Sequence, residues 1–199
     1  MIIIFARHGE TKSGKQERIE GWSSSSLTSL GRKQAKILAK FCKQKKVTKI
    51  YASPLKRAQQ TAFEVSKLCG LKVNTQKILK EVCYGSFDGK VKEELKRLKV
   101  WEEREKNLFK FIHPGFYKRH NGESYEMLLK RLKPFFNKLI REKEIAIIVI
   151  SHLGVVRSAV KYFDKITNKE FNNLKVSNDN VYVISVNDNK QKTKFVKLG

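Results

Sequence analysis

The sequence predicts an α/β fold, a three-layer α/β/α sandwich around a mainly parallel sheet. Two short apolar runs rich in β-branching, residues 2–6 and 145–150, have the unbroken pattern of strands buried on both faces. A third run, Ile50-Tyr51-Ala52, is also strand-like. Stretches with helical spacing of apolar residues separate these runs, so strands alternate with helices rather than with tight turns.

Taken in order, the first strand gives way to Arg7-His8-Gly9 and the polar stretch Glu10-Thr11-Lys12. Ser23-Ser24-Ser25-Ser26 is a polar loop before a helix capped by Thr28, which runs to about residue 46 and turns Leu30, Ala35, Leu38 and Phe41 toward the sheet. After the strand at 50–52, Ser53-Pro54 reads as an N-cap followed by proline at the first helical position. That helix carries Arg57 one turn in, extends to about residue 68 and is closed by Gly70. A short strand at 71–73 follows. Residues 91–111 are strongly charged and read as helix, broken by Phe109-Lys110-Phe111-Ile112-His113-Pro114-Gly115. The span 86–122 reads as an insertion over the crevice, a natural lid, with His113 and His120 as surface-loop histidines.

A helix over 124–141 contains Pro134, a point of kinking. The strand at 145–150 ends in Ser151-His152-Leu153-Gly154, and residues 155–163 form the next helix. Thr167-Asn168-Lys169-Glu170 spells a capping box for a further short helix. Residues 181–186 and 193–198, joined across Asn187-Asp188-Asn189-Lys190, read as a terminal hairpin. With no repeat and no linker, residues 1–199 are expected to form one domain.

Three strands each deliver a cationic or imidazole side chain at or just beyond their C-terminal ends: Arg7 and His8, Arg57, and His152. Open α/β sheets hold their ligand crevice at that edge. A guanidinium is a fixed fork suited to phosphate, and an imidazole serves as nucleophile, acid or base near neutral pH. One such delivery is commonplace, since an arginine or histidine often has only a structural role. Three together point to a phosphate pocket.

Arg7-His8-Gly9-Glu10-Thr11, Leu27-Thr28 with Gly31, Ser53-Pro54-Leu55 with Arg57-Ala58 and Thr61-Ala62, Gly122-Glu123-Ser124, and Ser151-His152 with Gly154 occur in this order and at these intervals. Together they resemble the histidine phosphatase superfamily, the phosphoglycerate mutase-like proteins, in its first branch, over nearly the whole chain. The resemblance implies a nucleophilic His8 that is phosphorylated during turnover. It implies a phosphoryl group bound by Arg7, Arg57 and His152, and a proton donor at Glu81 in Lys80-Glu81-Val82-Cys83-Tyr84-Gly85. No cofactor is expected, and no spacing suggests metal ligands.

Two departures from the family pattern concern phosphate holding. Gly14 stands where the family usually has a phosphate-touching asparagine, leaving space there, and Glu20 precedes Gly21 where glutamine, threonine or serine is usual. Glu20 and Gly21 are expected at the substrate-binding mouth, with Glu20 disfavouring a second anionic group on the substrate. Val82-Cys83-Tyr84-Gly85, followed by Ser86-Phe87-Asp88-Gly89, is closer to the phosphatases than to the mutases, which carry Arg-His-Tyr-Gly after the donor. Metal-independent hydrolysis of a small phosphomonoester is therefore the expected activity. Cofactor-dependent phosphoglycerate mutase is the alternative, and a catalytically weak regulator or basic binding protein the third.

Net charge is +24, with 40% hydrophobic and 31% charged residues, which describes a globular chain. The lysines are spread through nearly every segment, so the charge does not point to nucleic-acid binding as a specific role. No apolar run approaches the ~20 residues that span a bilayer, so no membrane role is expected. Cys42, Cys69 and Cys83 lack metal-type or redox-type spacing, which fits a reducing cytoplasm, and Cys83 is close enough to Glu81 for its oxidation to touch activity. The oligomeric state is not legible; a homodimer stays open.

Overall fold

The computed structural model describes residues 1–113, 116–117, 120–187 and 190–199. Pro114 and Gly115 of the predicted helix breaker, the Asp188-Asn189 turn of the predicted hairpin and the side chain of His120 lie outside the described residues.

In chain order the elements are β1 (Ile2–Arg7), α1 (Lys12–Lys15), α2 (Ser29–Gln44), β2 (Lys49–Ala52), α3 (Lys56–Cys69), β3 (Val73–Thr75), α4 (Lys92–Lys96), α5 (Lys99–Lys106), β4 (Phe116–Tyr117), β5 (His120–Asn121), α6 (Tyr125–Leu139), β6 (Ala146–Ser151), α7 (Leu153–Asp164), α8 (Asn168–Asn173), β7 (Asn180–Asn187) and β8 (Lys190–Lys197). Six strands form one sheet in the order β3-β2-β6-β1-β7-β8. The pairs β1/β6, β2/β6 and β2/β3 are parallel, while β7 and β8 add an antiparallel edge. This is the expected three-layer α/β/α sandwich with a mainly parallel sheet.

Alternation along the strands explains the layers. Ile3, Phe5, Ile147 and Val149 point into a core shared with Leu128, Leu132 and Phe136 of α6 and Val155, Val156 and Ala159 of α7. Ile4, Ala6, Ile148 and Ile150 point the other way, against Leu38, Ala39 and Cys42 of α2 and Ala62 and Val65 of α3. Both faces of β6 are fully covered, which is why its sequence is an unbroken apolar run.

Several local expectations need correction. Leu30 is 50% exposed instead of facing the sheet, because Ala35, Leu38, Ala39 and Cys42 supply the buried stripe of α2. The helix carrying Arg57 starts at Lys56, not Pro54, with Leu55 in the cap position. The short strand lies at 73–75, where it pairs with β2. The charged helix over 91–111 is two helices, α4 and α5, separated at Arg97 and Leu98. His113 is not a surface histidine. It is 1% exposed among the rings of Tyr84, Phe87 and Phe111.

Burial, and after it the charge of Arg104, lowers the His113 pKa from 6.5 to about 3. A histidine with a depressed folded-state pKa contributes stability that is present above pH 6.5 and lost as the pH falls toward about 3. The melting temperature is therefore expected to drop across that window, and His113→Phe to make the drop shallower. An acid limb unchanged by the substitution would show that the ring reaches water.

Two glycines fix the loop after β1. A Cβ on Gly31 would lie 2.0 Å from the carbonyl oxygen of Glu10, and one on Gly9 would lie 2.3 Å from that of Gly31. The β1–α1 loop thus crosses the first turn of α2 at backbone contact distance. Gly31→Ala must push two main chains apart, so a stability loss near the upper end of the ~1–3 kcal/mol range for overpacking is expected in denaturant unfolding, with reduced activity. A loss below about 0.5 kcal/mol would mean the crossing is soft.

Candidate active site

Parallel pairing brings the C-terminal ends of β1, β2 and β6 to one edge of the sheet, and the predicted residues meet there. Arg7 ends β1 opposite Ser151, and the His8 amide donates to the Ser151 carbonyl at 2.9 Å. Arg7, His8, Gly14, Glu20, Gly21, Arg57 and Glu81 line one cavity of about 390 Å³.

The tautomer of His8 follows from its two partners. Nδ1 lies 2.8 Å from the Gly9 carbonyl oxygen, which only accepts, so Nδ1 carries the proton. Nε2 lies 3.1 Å from Nε of Arg57, which only donates, so Nε2 presents its lone pair. Burial, then the charges of Arg57 and Arg7, hold the imidazole pKa well below its usual value, so the ring is neutral at physiological pH. Thr61 accepts the Gly9 amide at 3.2 Å, and the Asn178 amide donates to the His8 carbonyl.

Arg57 is 1% exposed. Its remaining donors reach the Ser23 carbonyl at 2.9 Å and the Gly21 carbonyl at 2.6 Å, which tie it to the loop before α2. His152 packs against His8 with ring centroids 5.2 Å apart. Its Nε2 lies 2.7 Å from the Ser53 hydroxyl. Ser53, expected as a helix cap, thus holds a site histidine instead. The Nδ1 of His152 has no partner among the described residues. Burial, then Arg57, keeps this ring's pKa well below the usual value too.

Glu81 is 6% exposed, and its Oε1 accepts from the amides of Val82 at 2.8 Å and Gly154 at 3.1 Å. A Cβ on Gly154 would lie 2.3 Å from that oxygen, so only glycine lets α7 begin this close to the carboxyl group. The two amides favour the carboxylate, but burial outweighs them and raises the Glu81 pKa. Trp22 and Arg131 both donate to the Glu81 carbonyl. Glu93 and Glu94, other carboxylates near it in sequence, are exposed on α4.

Glu20 does face the pocket. Its carboxylate lies 3.9 Å from Nε2 of His8 and 3.9 Å from Nε of Arg57, and it accepts a 2.7 Å bond from Thr11. Gly14 does not simply leave a gap, since a Cβ there would lie 2.8 Å from the Thr11 hydroxyl. Cys83 is fully buried and burial raises its thiol pKa, so it packs as a small apolar side chain and oxidation beside Glu81 is disfavoured.

The outer wall was not foreseen. Arg18, Lys92, Trp101, Arg104, Tyr84 and Arg157 line the same cavity. The Tyr84 hydroxyl lies 2.7 Å from that of Tyr125, deep beside Glu81. The charged character of α4 and α5 signalled Lys92 and Arg104, and nothing in the sequence signalled Arg18, Tyr84 or Arg157. Among the described residues no group of His, Cys, Asp and Glu side chains could hold a metal ion, and no helix is long and apolar enough to cross a membrane.

The sequence profile of the histidine phosphatase superfamily (branch 1) matches residues 3–198. The chain is 28% identical to the 2,3-bisphosphoglycerate-dependent phosphoglycerate mutase of Buchnera aphidicola, over 98% of both chains. It is also 28% identical to phosphoserine phosphatase 1 of Hydrogenobacter thermophilus, over 78% of this chain and 72% of that one. A mycobacterial glucosyl-3-phosphoglycerate phosphatase structure superposes with a TM-score of 0.84 at 20% identity, covering 100% of this chain and 99% of that one, which shows a shared fold.

Proposed function

The chain belongs to the histidine phosphatase superfamily (branch 1), and we propose that it hydrolyses small phosphomonoesters through a phosphohistidine on His8 without a metal. One observation carries the reading: a neutral His8 turns an unprotonated Nε2 into a cavity also lined by the guanidinium groups of Arg7 and Arg57 and the buried carboxyl group of Glu81.

In this reading Nε2 attacks phosphorus in line with the ester oxygen. Arg7, Arg57 and His152 take the charge on the equatorial oxygens, the main catalytic task in phosphoryl transfer. Ser53 donates to Nε2 of His152, which leaves the imidazole proton on Nδ1 for the phosphoryl group. Glu81 starts protonated, gives its proton to the leaving oxygen, and then accepts one from the water that hydrolyses the phosphohistidine. Residues 1–199 act as one domain, with the span 86–122 as a lid whose helices α4 and α5 supply Lys92, Trp101 and Arg104 to the outer pocket. Glu20 alone suggested a neutral or cationic leaving group. Arg18, Lys92, Arg104 and Arg157 make a polar, anion-tolerating one the better fit. The free cysteines suit a reducing cytoplasm.

Phosphoglycerate isomerisation is the second reading, favoured by that cationic wall and by the mutase among the relatives. The deciding experiment assays p-nitrophenyl phosphate and 3-phosphoglycerate side by side in excess chelator. Hydrolysis that survives chelation, with no isomerisation, is expected. Activity lost to the chelator and restored by a divalent cation would contradict the mechanism.

A further inference from the structure

Glu20 stands where a phosphoryl group on His8 has to put its oxygens. One carboxylate oxygen lies 3.9 Å from Nε2 of His8 and the other 3.9 Å from Nε of Arg57. The side chain is 10% exposed and is held by the Thr11 hydroxyl, which itself accepts the Gly14 amide at 3.0 Å. His8 offers it no hydrogen, since Nε2 is already the acceptor of the Arg57 bond. The seat for the phosphate therefore contains one fixed anion beside its cations.

A doubly charged phosphoryl group brought to Nε2 would place bare oxygens against this carboxylate, whose side chain is only 10% exposed. Two like-charged acceptors at that distance repel, as paired carboxylates do, unless a proton lies between them. With one proton the contact becomes an O–H···O⁻ hydrogen bond, a short and strong type. We propose, building on the phosphatase reading, that Glu20 makes the site selective for the reacting phosphoryl group in its singly charged form, with one proton shared between Glu20 and a phosphoryl oxygen. The proton stays with the phosphoryl group through transfer to His8 and leaves with inorganic phosphate. Substrate selection then includes protonation state, and the dianionic product that dominates at alkaline pH is held weakly.

Other charged groups face the same space. The cations Arg7, Arg57, Arg18, Lys92, Arg104 and Arg157 attract either form of phosphate, and the Glu105 carboxyl group lines the cavity with them. His8 and His152 stay neutral because burial holds their pKa values well down. Glu81 lines the cavity with a raised pKa, and Asp88, which accepts the Trp22 amide behind Gly21, titrates at about 7. The test must separate Glu20 from these two.

Calorimetric binding of inorganic phosphate, from about pH 5 to about pH 8.5, makes that separation. The full-length protein is compared with Glu20→Gln, with Asp88→Asn and with Glu81→Gln. Above the second ionisation of phosphate, the unsubstituted protein should lose affinity by about tenfold per pH unit as its singly charged ligand disappears. Glu20→Gln should flatten this slope and bind phosphate at least about tenfold more tightly at the alkaline end. Asp88→Asn and Glu81→Gln should both keep the steep slope. Glu20→Ser, which lacks both charge and length, should repeat the flattening if the glutamine disturbs Thr11. Parallel profiles for the unsubstituted protein and both Glu20 variants would overturn the proposal and leave the phosphatase reading standing. Absence of phosphate binding in every variant, together with no label on His8 from a phosphomonoester, would overturn both.

Discussion

His8→Ala is expected to reduce hydrolysis of p-nitrophenyl phosphate by about 10⁴-fold or more while leaving the protein folded. The magnitude is that of removing a covalent nucleophile whose neighbours cannot replace it. His152, the other imidazole beside it, is no substitute: its Nε2 lies 2.7 Å from the Ser53 hydroxyl and its ring packs edge-on to His8. His152→Ala should cost less, about 10²–10³-fold, as expected for one donor to a charged transition state. The substitution at His8 removes an uncharged ring, so the melting temperature should move little. A variant with a tenth of the original rate would place the nucleophile elsewhere.

Glu81→Gln should cost about 10²–10⁴-fold on alkyl phosphates, whose leaving oxygen needs a proton, and far less on nitrophenyl phosphate, whose leaving group does not. Burial raises the Glu81 pKa, so the acid form persists to higher pH than in an ordinary carboxyl group, and kcat/KM should fall on the alkaline side as the proton is lost. The glutamine variant should lack that limb. Stability should respond in the same sense. A carboxyl group with a raised folded-state pKa contributes stability that is present below its unfolded pKa and is lost as the pH rises through the folded one. Glu81→Gln is therefore expected to be less active yet more stable than the parent above neutral pH. Equal losses on both substrate types would assign the proton to another group, such as the Tyr84–Tyr125 pair that lines the same cavity.

The fold was legible because it is written in burial. Residues 147–150 are apolar without interruption since both faces of β6 are covered, and the alternation of such runs with amphipathic helices leaves few topologies. The inner site was legible because strand ends and a motif series place Arg7, His8, Arg57 and His152 together. Ser53 shows the limit of that approach. Its neighbour Pro54 signals a helix start, yet its hydroxyl serves a histidine 99 positions away. Leu30 misleads in the same way, since helical spacing alone does not say which of two neighbouring faces the sheet covers. His113 sits in a segment whose composition looks like surface, and its burial comes from aromatic rings at 84, 87 and 111 that only the folded chain assembles. The outer wall could not be read because Arg18, Lys92, Arg104 and Arg157 come from four separate segments of a chain rich in lysine and arginine throughout. Glu20 was visible as a departure from a pattern, but its distance to His8 was not.

The covalent intermediate tests the central claim most directly. After brief exposure to ³²P-labelled phosphomonoester and an alkaline denaturing quench, label should remain on the protein, resist base, wash out in acid and map to the peptide containing His8. The same experiment on His8→Ala should leave the protein unlabelled. Stable label on a serine, on His152, or on no residue at all while turnover proceeds would contradict the account.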